Sequence, residues 1–186
     1  MKSYKALNNQ IYSTSIFSLV PIRFEDKFDI MKWRNEQLYH LRQSKPLTIE
    51  SQENYFNNVV SKLFEQKQPS QILFSFLKNN TCIGYGGLVH INWIDKHAEV
   101  SFIMDTYHDK NAFQSIWNAF LSLIEEVAFK EIKLHKIFTY AFDLRPQLYP
   151  ILLKAGYTHE ARLNEHSFFE NRFIDVLIHS KFNDKI

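Results

Sequence analysis

The sequence predicts a single domain of the α+β (α/β) class, in which helices pack on a mixed β-sheet. Three strand-like runs follow one another in the middle of the chain with short turns between them, and a strand–helix–strand segment comes next. Consecutive strands joined by short turns pair antiparallel, whereas a strand–helix–strand unit forms a parallel pair, so the sheet is expected to be mixed. A length of 186 residues suffices for one core and leaves little for a second.

The predicted elements follow the order β-α-α-β-β-β-α-β-α-β-β. Residues 1–15 are polar and are expected to form a loose N-terminal arm, and the domain itself spans 16–186. Apolar periodicity and turn residues place the elements at 16–22, 25–41, 49–64, 71–78, 82–92, 97–104, 111–130, 136–142, 146–156, 165–169 and 173–182.

The ends and faces of the helices can also be predicted. Thr48 is the expected N-cap of the second helix, and Gly156 suits the C-terminus of the last one. Pro150 removes one backbone hydrogen bond and is expected to kink or delay that last helix. The apolar side of the first helix is predicted to consist of Phe28, Met31 and Leu38.

Strand 97–104 has a clear period of two, which assigns its side chains to opposite faces. One face carries Ala98, Val100, Phe102 and Met104, and the other carries His97, Glu99, Ser101 and Ile103. A carboxylate in mid-strand is costly to bury unless it is paired or functional. Glu99 is therefore a candidate catalytic group, with an exposed position or a simple ion pair as the open alternative.

Composition excludes several classes of function. The formal net charge is +2 with the basic residues dispersed, which argues against nucleic acid as a partner. Cys82 is the single cysteine, so neither an internal disulfide nor a cysteine metal cluster is expected. Apolar runs fall short of a membrane span, the N-terminus lacks the apolar core of a signal peptide, and a cytoplasmic location is expected. The 17 Phe, 9 Tyr and 3 Trp indicate a bulky core or an aromatic-lined pocket.

Common catalytic motifs are absent from the sequence. The eight histidines show neither H-E-x-x-H nor metal-ligand spacing, so no metal site is predicted. There is also no G-x-S-x-G nucleophile turn and no glycine-rich dinucleotide or phosphate loop. The hydrolase, dinucleotide-binding and nucleoside-triphosphate classes are thereby disfavoured.

Dispersed motifs over residues 16–182 resemble the GCN5-related N-acetyltransferases (GNAT). The run "IGYGGLVHINWIDKHAEVSF" is similar to the family's central hairpin, and "WRNEQLYHLRQSKPLTIESQENYF" is similar to the first helices of bacterial acetyltransferases that act on nucleotide-linked amino sugars. The C-terminal part resembles the RimJ/RimL-like branch through Lys154, Gly156, Tyr157, Glu160, Phe169, Asn171 and Asp175. The resemblance implies a mostly antiparallel sheet with helices on both faces.

The resemblance also implies acetyl-CoA as the acyl donor, with no metal. In the family, backbone amides of a glycine-containing joint bind the pyrophosphate at a helix N-terminus, where the helix dipole favours an anion. Here Lys110 replaces the first glycine and Ala112 keeps a small residue, so the joint binds CoA either with help from the lysine or more weakly. The implied cofactor-binding residues are Phe102, Ile103, Met104, Lys110, Asn111, Ala112, Phe113 and Arg145.

Three residues are implied in proton transfer and three in acceptor binding. Glu99 is the first choice for the general base and His90 the second. Tyr149 is the candidate acid, although the family's tyrosine position here holds Leu152. A backbone N–H near Ile103 is expected to stabilise the oxyanion. The residues expected to line the acceptor pocket are Trp33, Arg34 and Asn35.

The expected reaction is direct attack of a primary amine on the thioester, with a small-molecule acceptor that is a nucleotide-linked amino sugar. Two alternatives stay open at this point: a protein N-terminal acetyltransferase of the RimJ/RimL kind, and a non-catalytic binding protein with the same fold. The altered joint and the missing tyrosine motivate the second alternative. Nucleic acid and membrane are not expected partners, and a homodimer is possible.

Overall fold

The computed structural model describes residues 2–107 and 112–184. The strands are β1 (Tyr12–Ser13), β2 (Phe17–Pro21), β3 (Ile72–Lys78), β4 (Thr81–Asn92), β5 (His97–Met104), β6 (Lys136–Phe142), β7 (Thr158–Phe169) and β8 (Arg172–Phe182). The helices are α1 (Lys27–Glu36), α2 (Ile49–Tyr55), α3 (Ser61–Leu63), α4 (Phe113–Glu125) and α5 (Tyr149–Lys154). A π-helical turn joins α2 to α3, and another, Glu126–Glu131, extends α4.

All eight strands form one sheet in the order β1-β2-β3-β4-β5-β6-β8-β7. Among the strands of the described residues, the central β5–β6 pair is parallel and the other neighbouring pairs are antiparallel. The predicted mixed, mostly antiparallel sheet is therefore confirmed. Helix α4 supplies the long connection that a parallel pair requires.

Helices cover both faces of the sheet, as predicted. On one face, Arg34 of α1 donates a hydrogen bond to the Tyr85 hydroxyl of β4. On the other, Phe120 of α4 stacks on Phe102 of β5 with 3.9 Å between ring centroids. The two faces thus carry different partners.

Strands β5 and β6 pair over three residues and then separate. The parallel register covers His97–Glu99 against Lys136–Phe138 and does not continue. Beyond these pairs the two strands enclose a cavity of about 480 Å³, which is lined by residues 100–103 of β5 and 139–142 of β6. We call it the cleft; its narrow end is at Glu99, where pairing stops, and its wide end is where β5 and β6 finish, at Met104 and Phe142.

The N-terminal arm is packed and not loose, contrary to expectation. Tyr4 is buried; its hydroxyl donates to the Leu73 carbonyl at 2.8 Å and accepts from the Leu73 amide at 3.0 Å. Leu7 and Tyr12 also belong to the core, and β1 adds an edge strand next to β2. The arm escaped prediction because three buried side chains spread over nine residues carry no period.

The ends of the helices were predicted from the sequence more accurately than the buried side of α1. Thr48 and Ser51 form a reciprocal capping box at the start of α2. Pro146 opens a 3-10 turn, Pro150 falls in the first turn of α5, and Gly156 adopts a φ of 86° just after that helix. The predicted apolar side of α1 is wrong, since Phe28 is exposed. The buried side chains of that helix are Ile30 and Trp33.

The last hairpin is longer than predicted. Strand β7 begins at Thr158, seven residues before the expected start, because its first half is an exposed edge strand without apolar alternation. Among residues 2–107 and 112–184, no helix has the length and apolar content that crossing a membrane would require.

Candidate active site

Charged side chains meet at the narrow end of the cleft. Glu99 is 6% exposed, and its carboxylate pairs with the guanidinium of Arg42, which reaches across from the segment after α1. The Arg42 guanidinium carbon lies 4.4 Å from the ring centroid of Tyr140 on β6. Arg42 therefore links the two strands just beyond the point where their pairing stops.

A β-bulge places His90 beside Glu99. Val89 is opposite Glu99 and Asn92 is opposite His97, so β4 carries an extra residue between these two pairs. His90 adopts a φ of 50°, and its Nε2 lies 3.8 Å from a Glu99 carboxylate oxygen. The structure thus brings together the two residues predicted as candidate bases, with His90 on the solvent side.

The wide end of the cleft contains polar atoms that lack partners. Among the described residues, eight buried side-chain nitrogen or oxygen atoms have no hydrogen-bond partner, and four of these belong to residues lining the cleft. The four atoms are His40 Nδ1, Trp117 Nε1 and Arg145 Nε, toward the wide end, and Thr139 Oγ1, which directly follows the last paired residue of β6. Buried polar groups normally have hydrogen-bond partners, so four unpartnered atoms around one cavity indicate a binding site for a polar ligand.

Arg145 follows β6 and lies over the α4 face of the cleft. Its guanidinium carbon is 5.9 Å from the ring centroid of Trp117. Burial lowers the pKa of Arg145 from its ordinary value, against the opposing effects of Tyr39 and Tyr149. Within residues 2–107 and 112–184 no carboxylate pairs with Arg145, and leaving its buried Nε unpartnered is costly unless a ligand offers an acceptor.

His40 reaches the same end of the cleft from the opposite side. Gln37 donates through Nε2 to the carbonyls of Trp33 (3.1 Å) and Met104 (2.8 Å), so its Oε1 faces the His40 Nε2 at 3.2 Å. His40 Nε2 must then carry the proton, which leaves a bare lone pair on Nδ1. Burial and the charge of Arg145 lower the pKa of His40 to about 3, so the ring is neutral.

The edge of β5 offers backbone amides to the cleft. The Asp105 amide donates to the Ile83 carbonyl of β4. Because successive residues in a strand point their amides to opposite sides, Ile103 also faces β4, whereas Phe102 and Met104 face the cleft. Of the three β5 residues predicted to bind the cofactor, Phe102 and Met104 are the ones with amides on that side. The oxyanion donor expected near Ile103 would be one of these neighbours.

A second cavity of about 380 Å³ opens between α1 and α2 and shares Arg34 and Tyr55 with the cleft. Arg34 donates to Gln43 Oε1 at 2.8 Å and to the Tyr85 hydroxyl, so it is held at the junction of the two spaces. The second cavity has a mainly apolar and aromatic lining of Ile22, Ile30, Leu47, Tyr55, Phe56 and Tyr85.

The other two residues predicted to line the acceptor pocket have other positions. Trp33 is 4% exposed and packs in the core, and it lines neither cavity. Asn35 accepts from the Leu47 amide at 2.7 Å and donates to the Leu47 carbonyl at 2.9 Å, which fastens the loop before α2. The contact of Trp33 and Asn35 with an acceptor stays a prediction that these positions do not support.

Tyr149, predicted as the acid, does not line the cleft. Its hydroxyl donates to Asp143 at 2.7 Å and its ring stacks on His179. Burial and the neighbouring Asp143 raise the pKa of Tyr149 above its ordinary value. Its assignment as the acid stays a prediction that this geometry does not support.

The predicted pyrophosphate joint is only partly described. Lys110 and Asn111 lie outside the described residues, as do the neighbouring His108 and Asp109. Ala112 is the N-cap of α4, and Phe113 is its first residue, with its ring 6.1 Å from that of Trp117. Helix α4 therefore begins where the predicted pyrophosphate site requires a helix N-terminus.

Comparison with known proteins identifies the family. A family model for the acetyltransferase (GNAT) domain matches residues 19–178, most of the chain. The chain belongs to the GNAT acetyltransferase family. This GNAT protein is therefore an N-acetyltransferase that uses acetyl-CoA, in agreement with the sequence, and the non-catalytic alternative is not favoured.

This GNAT enzyme has the same fold as several other proteins whose structures are solved. A spermidine N-acetyltransferase from Vibrio cholerae, in complex with CoA and spermine, superposes with a TM-score of 0.78 at 20% identity, covering 92% of this chain and 98% of that one. A dodecameric structure of spermidine N-acetyltransferase from the same organism, in an intermediate state, gives 0.74 at 21% identity, covering 92% and 96%. At these identities the likeness establishes the fold alone.

The residues that line the cleft of this GNAT enzyme are suited to bind acetyl-CoA. The unused amides of Phe102 and Met104 and the four unpartnered side-chain atoms line an open gap beside the start of α4. A long, polar ligand with several amide groups would satisfy them. When bound, acetyl-CoA supplies the activated acetyl group. Within residues 2–107 and 112–184, no cluster of three His, Cys, Asp or Glu side chains could hold a metal ion.

The sequence reasoning missed the side chains that complete the cleft. Arg42 is 57 residues from Glu99 along the chain, and their pairing depends on how the loop after α1 folds over the sheet. His40, Thr139 and Trp117 look like ordinary core or loop residues in the sequence. Only the W-R-N motif before Arg42 hinted that this loop belongs to the site.

Proposed function

We propose that this enzyme acetylates the primary amine of a nucleotide-linked amino sugar. The observation that supports the proposal best is the charge around the acceptor side, where Arg34 and Arg42 stand against one buried carboxylate, Glu99. Guanidinium groups bind phosphate oxygens with strong, directional hydrogen bonds. Arg34 is already held in place by Gln43 and Tyr85, which leaves less conformational freedom to lose on binding.

The second cavity supports the same acceptor class. Its aromatic and apolar lining, which includes Tyr55 and Tyr85, suits a flat base or a deoxygenated sugar, and Arg34 lies between it and the cleft. A phosphate bound at Arg34 would therefore have its sugar directed toward Glu99 and its base toward the second cavity.

A polyamine acceptor fits the described residues less well. Spermidine carries several positive charges and needs several carboxylates, but the cleft lining holds Glu99 as its only acidic residue among those described. That carboxylate is already paired with Arg42. Repulsion from Arg34 would further oppose a polycation.

In the proposed reaction, the amine nitrogen bonds to the thioester carbonyl carbon and Glu99 accepts the amine proton, directly or through a water molecule, as a general base. The oxyanion then collapses with cleavage of the C–S bond, and the CoA thiolate leaves and takes a proton from water. Arg42 holds the carboxylate in position, and His90 is placed to pass a proton to solvent. The amides of Phe102 and Met104 face the developing oxyanion. Most of the rate enhancement would come from holding the amine and the thioester together in the gap.

An acceptor screen tests the proposal. Release of the CoA thiol is measured with acetyl-CoA and, separately, UDP-glucosamine, a UDP-linked 4-amino sugar, spermidine and a short peptide with a free N-terminus. We expect turnover with at least one nucleotide sugar and none with spermidine or the peptide. Faster turnover of spermidine or of the peptide than of both nucleotide sugars would replace the proposed acceptor.

Arg34→Gln sharpens the test. We expect it to raise the KM for the nucleotide sugar by about tenfold or more, because a charged hydrogen bond to phosphate is lost, without changing the KM for acetyl-CoA. Lys32→Gln is the matched control. This substitution also removes one cation from α1, but Lys32 lies on the exposed side of the helix, near Glu36. Equal effects of the two substitutions would contradict a phosphate contact at Arg34.

A further inference from the structure

Strand β7 contains a bulge that brings one imidazole next to Tyr140 of β6. Between two of its pairs with β8, β7 advances four residues where β8 advances two. Within this bulge, Glu165 adopts a φ of 50°, and its amide donates to an Asp175 carboxylate oxygen at 2.8 Å. Bulges beside active sites commonly re-aim a side chain. Here that side chain is His166, whose ring centroid lies 6.1 Å from that of Tyr140, although β8 separates the two strands.

Three side chains with available hydrogen-bond donors meet at Tyr140. Arg42 lies over the Tyr140 ring and bonds to Glu99 through Nη2, and among the described residues no hydrogen bond uses its Nη1 or Nε. In the same part of the chain, neither the Tyr140 hydroxyl nor the His166 ring nitrogens have a hydrogen-bond partner. The Arg42 side chain is 46% exposed and His166 is exposed, so their donors face water before a ligand binds.

The aspartates nearest the hairpin do not take these donors. Asp143 and Asp175 both pair with the guanidinium of Arg162. Within residues 2–107 and 112–184, no acidic side chain pairs with His166. The donors around Tyr140 are therefore open to a ligand that brings its own acceptors.

Across the sheet, these donors lie on the side of Glu99 away from Arg34. Arg34 donates to Tyr85 on β4, Glu99 is on β5 and Tyr140 is on β6, and the three strands are neighbours in that order. Neighbouring strands lie about 5 Å apart. An acceptor with its phosphate at Arg34 and its amine at Glu99 therefore extends over Tyr140 with the part of its sugar that is remote from the phosphate.

The donors select the chemistry of that remote part. A guanidinium, a hydroxyl and an imidazole N–H around one ring suit a group that offers several acceptors, and an ammonium group would be repelled by Arg42. A carboxylate offers two acceptor oxygens and forms strong, charge-assisted hydrogen bonds with a guanidinium. On a sugar ring, the acidic group at this end is the carboxylate of a uronic acid, on the sixth carbon.

We infer that the acceptor is a nucleotide-linked amino-uronic acid, whose carboxylate binds between Arg42, Tyr140 and His166. The inference rests on the proposed function and narrows its acceptor class. Arg42 keeps its bond to Glu99 through Nη2 and gives its other donors to the ligand, so one guanidinium orients both the base and the sugar. The bulge in β7 has the role of placing His166 at the far side of this subsite.

Matched acceptor pairs test the inference. Each pair consists of two UDP-linked amino sugars that differ only at the sixth carbon, which is a hydroxymethyl group in one and a carboxylate in the other. One pair has its amine on the second carbon of the sugar and another has it on the fourth. In thiol-release assays we expect the carboxylate member of at least one pair to have a kcat/KM about tenfold higher or more, mainly through a lower KM, because it gains charged hydrogen bonds.

Substitution of His166 tests the subsite itself. We expect His166→Ala to reduce the preference for the carboxylate member about fivefold, the loss of one hydrogen bond to a charged group. His166→Gln keeps an N–H donor and should retain the preference within about twofold. His159→Ala is the matched control, because His159 is another exposed imidazole of β7 but contacts His179, and it should leave the preference unchanged.

The outcomes separate this inference from the proposed function. Equal kcat/KM values for the two members of every pair would overturn the inference and leave the nucleotide-sugar acceptor standing. A carboxylate preference that His166→Ala does not reduce, or that His159→Ala reduces equally, would also overturn it. If no nucleotide sugar is turned over, the proposed function itself fails and the inference fails with it.

Discussion

The two ends of the cleft differ in whether their polar side chains have partners within the protein. At the narrow end, Glu99, Arg42 and His90 lie together, and Tyr140 covers the Arg42 guanidinium. At the wide end, His40 and Arg145 each keep a buried atom without a partner. One end is complete before any ligand arrives, and the other is not.

Under the proposed function, the narrow end performs the chemistry and the wide end binds. A carboxylate that must receive a proton needs a fixed position and access to solvent, and Glu99 has both through Arg42 and His90. A binding wall gains affinity when its polar atoms have nothing to give up as the ligand enters. The predictions below test this division, from the largest expected effect to the smallest.

Removing the carboxylate should reveal the chemical role of the narrow end. Glu99→Gln keeps the shape of the side chain and its contact with Arg42, but it cannot act as a base, so we expect kcat to fall about 100-fold with CoA affinity unchanged. Steady-state thiol release and calorimetry measure the two quantities. Glu160→Gln is the control, since Glu160 is an exposed carboxylate paired with Lys136 on the far hairpin. A loss below threefold would show that Glu99 is not the base.

Removing the buried guanidinium should separate binding from stability at the wide end. We expect Arg145→Met to weaken CoA binding about tenfold to 100-fold, because a charged donor is lost, while the melting temperature stays equal or rises. The burial that lowers the pKa of Arg145 is the cost that the methionine would relieve. Arg162→Met, a surface change between Asp143 and Asp175, should leave CoA binding unaltered. A lower melting temperature with unchanged CoA affinity would make Arg145 a structural residue.

The wide end should also be the more acid-sensitive part of the fold. Since burial lowers the pKa of His40 to about 3 and the unfolded chain protonates near 6.5, only the unfolded state gains this proton between those values. Stability is therefore lost as the pH falls below about 6.5, by up to about 1.4 kcal/mol per pH unit. His40→Asn should reduce the loss between pH 7 and pH 5 by about 2 kcal/mol, measured by urea unfolding. An identical loss in both proteins would contradict the buried neutral state.

The smallest effect is expected at Tyr149, which belongs to neither end. We expect Tyr149→Phe to change kcat less than about threefold, because its hydroxyl donates to Asp143 and faces away from the cleft lining. The measurement is the same thiol-release assay. A 100-fold loss would restore Tyr149 as the acid and would require the cleft to extend to Asp143.

Much of the site could be predicted along single elements. The alternation in β5 correctly separated Glu99 from Phe102, and the resemblance to acetyltransferases led to Arg34 and Arg145, which both line the cleft. Trp33 is adjacent to Arg34 in the sequence but points into the core, because neighbours on a helix face different directions. The first helix was a poor guide because Ile30 and Trp33 alone make its buried face.

The sequence by itself determined the strands, the helix caps at Thr48 and Gly156, the mixed sheet and the family, since these depend on local periodicity, turn residues and motifs read along the chain. Only the tertiary structure decided where β5 and β6 separate, which loop delivers Arg42 and His40 into the gap, and which polar atoms there lack partners. These features depend on contacts between residues far apart in the chain, and no local pattern encodes whether a buried atom will find a partner.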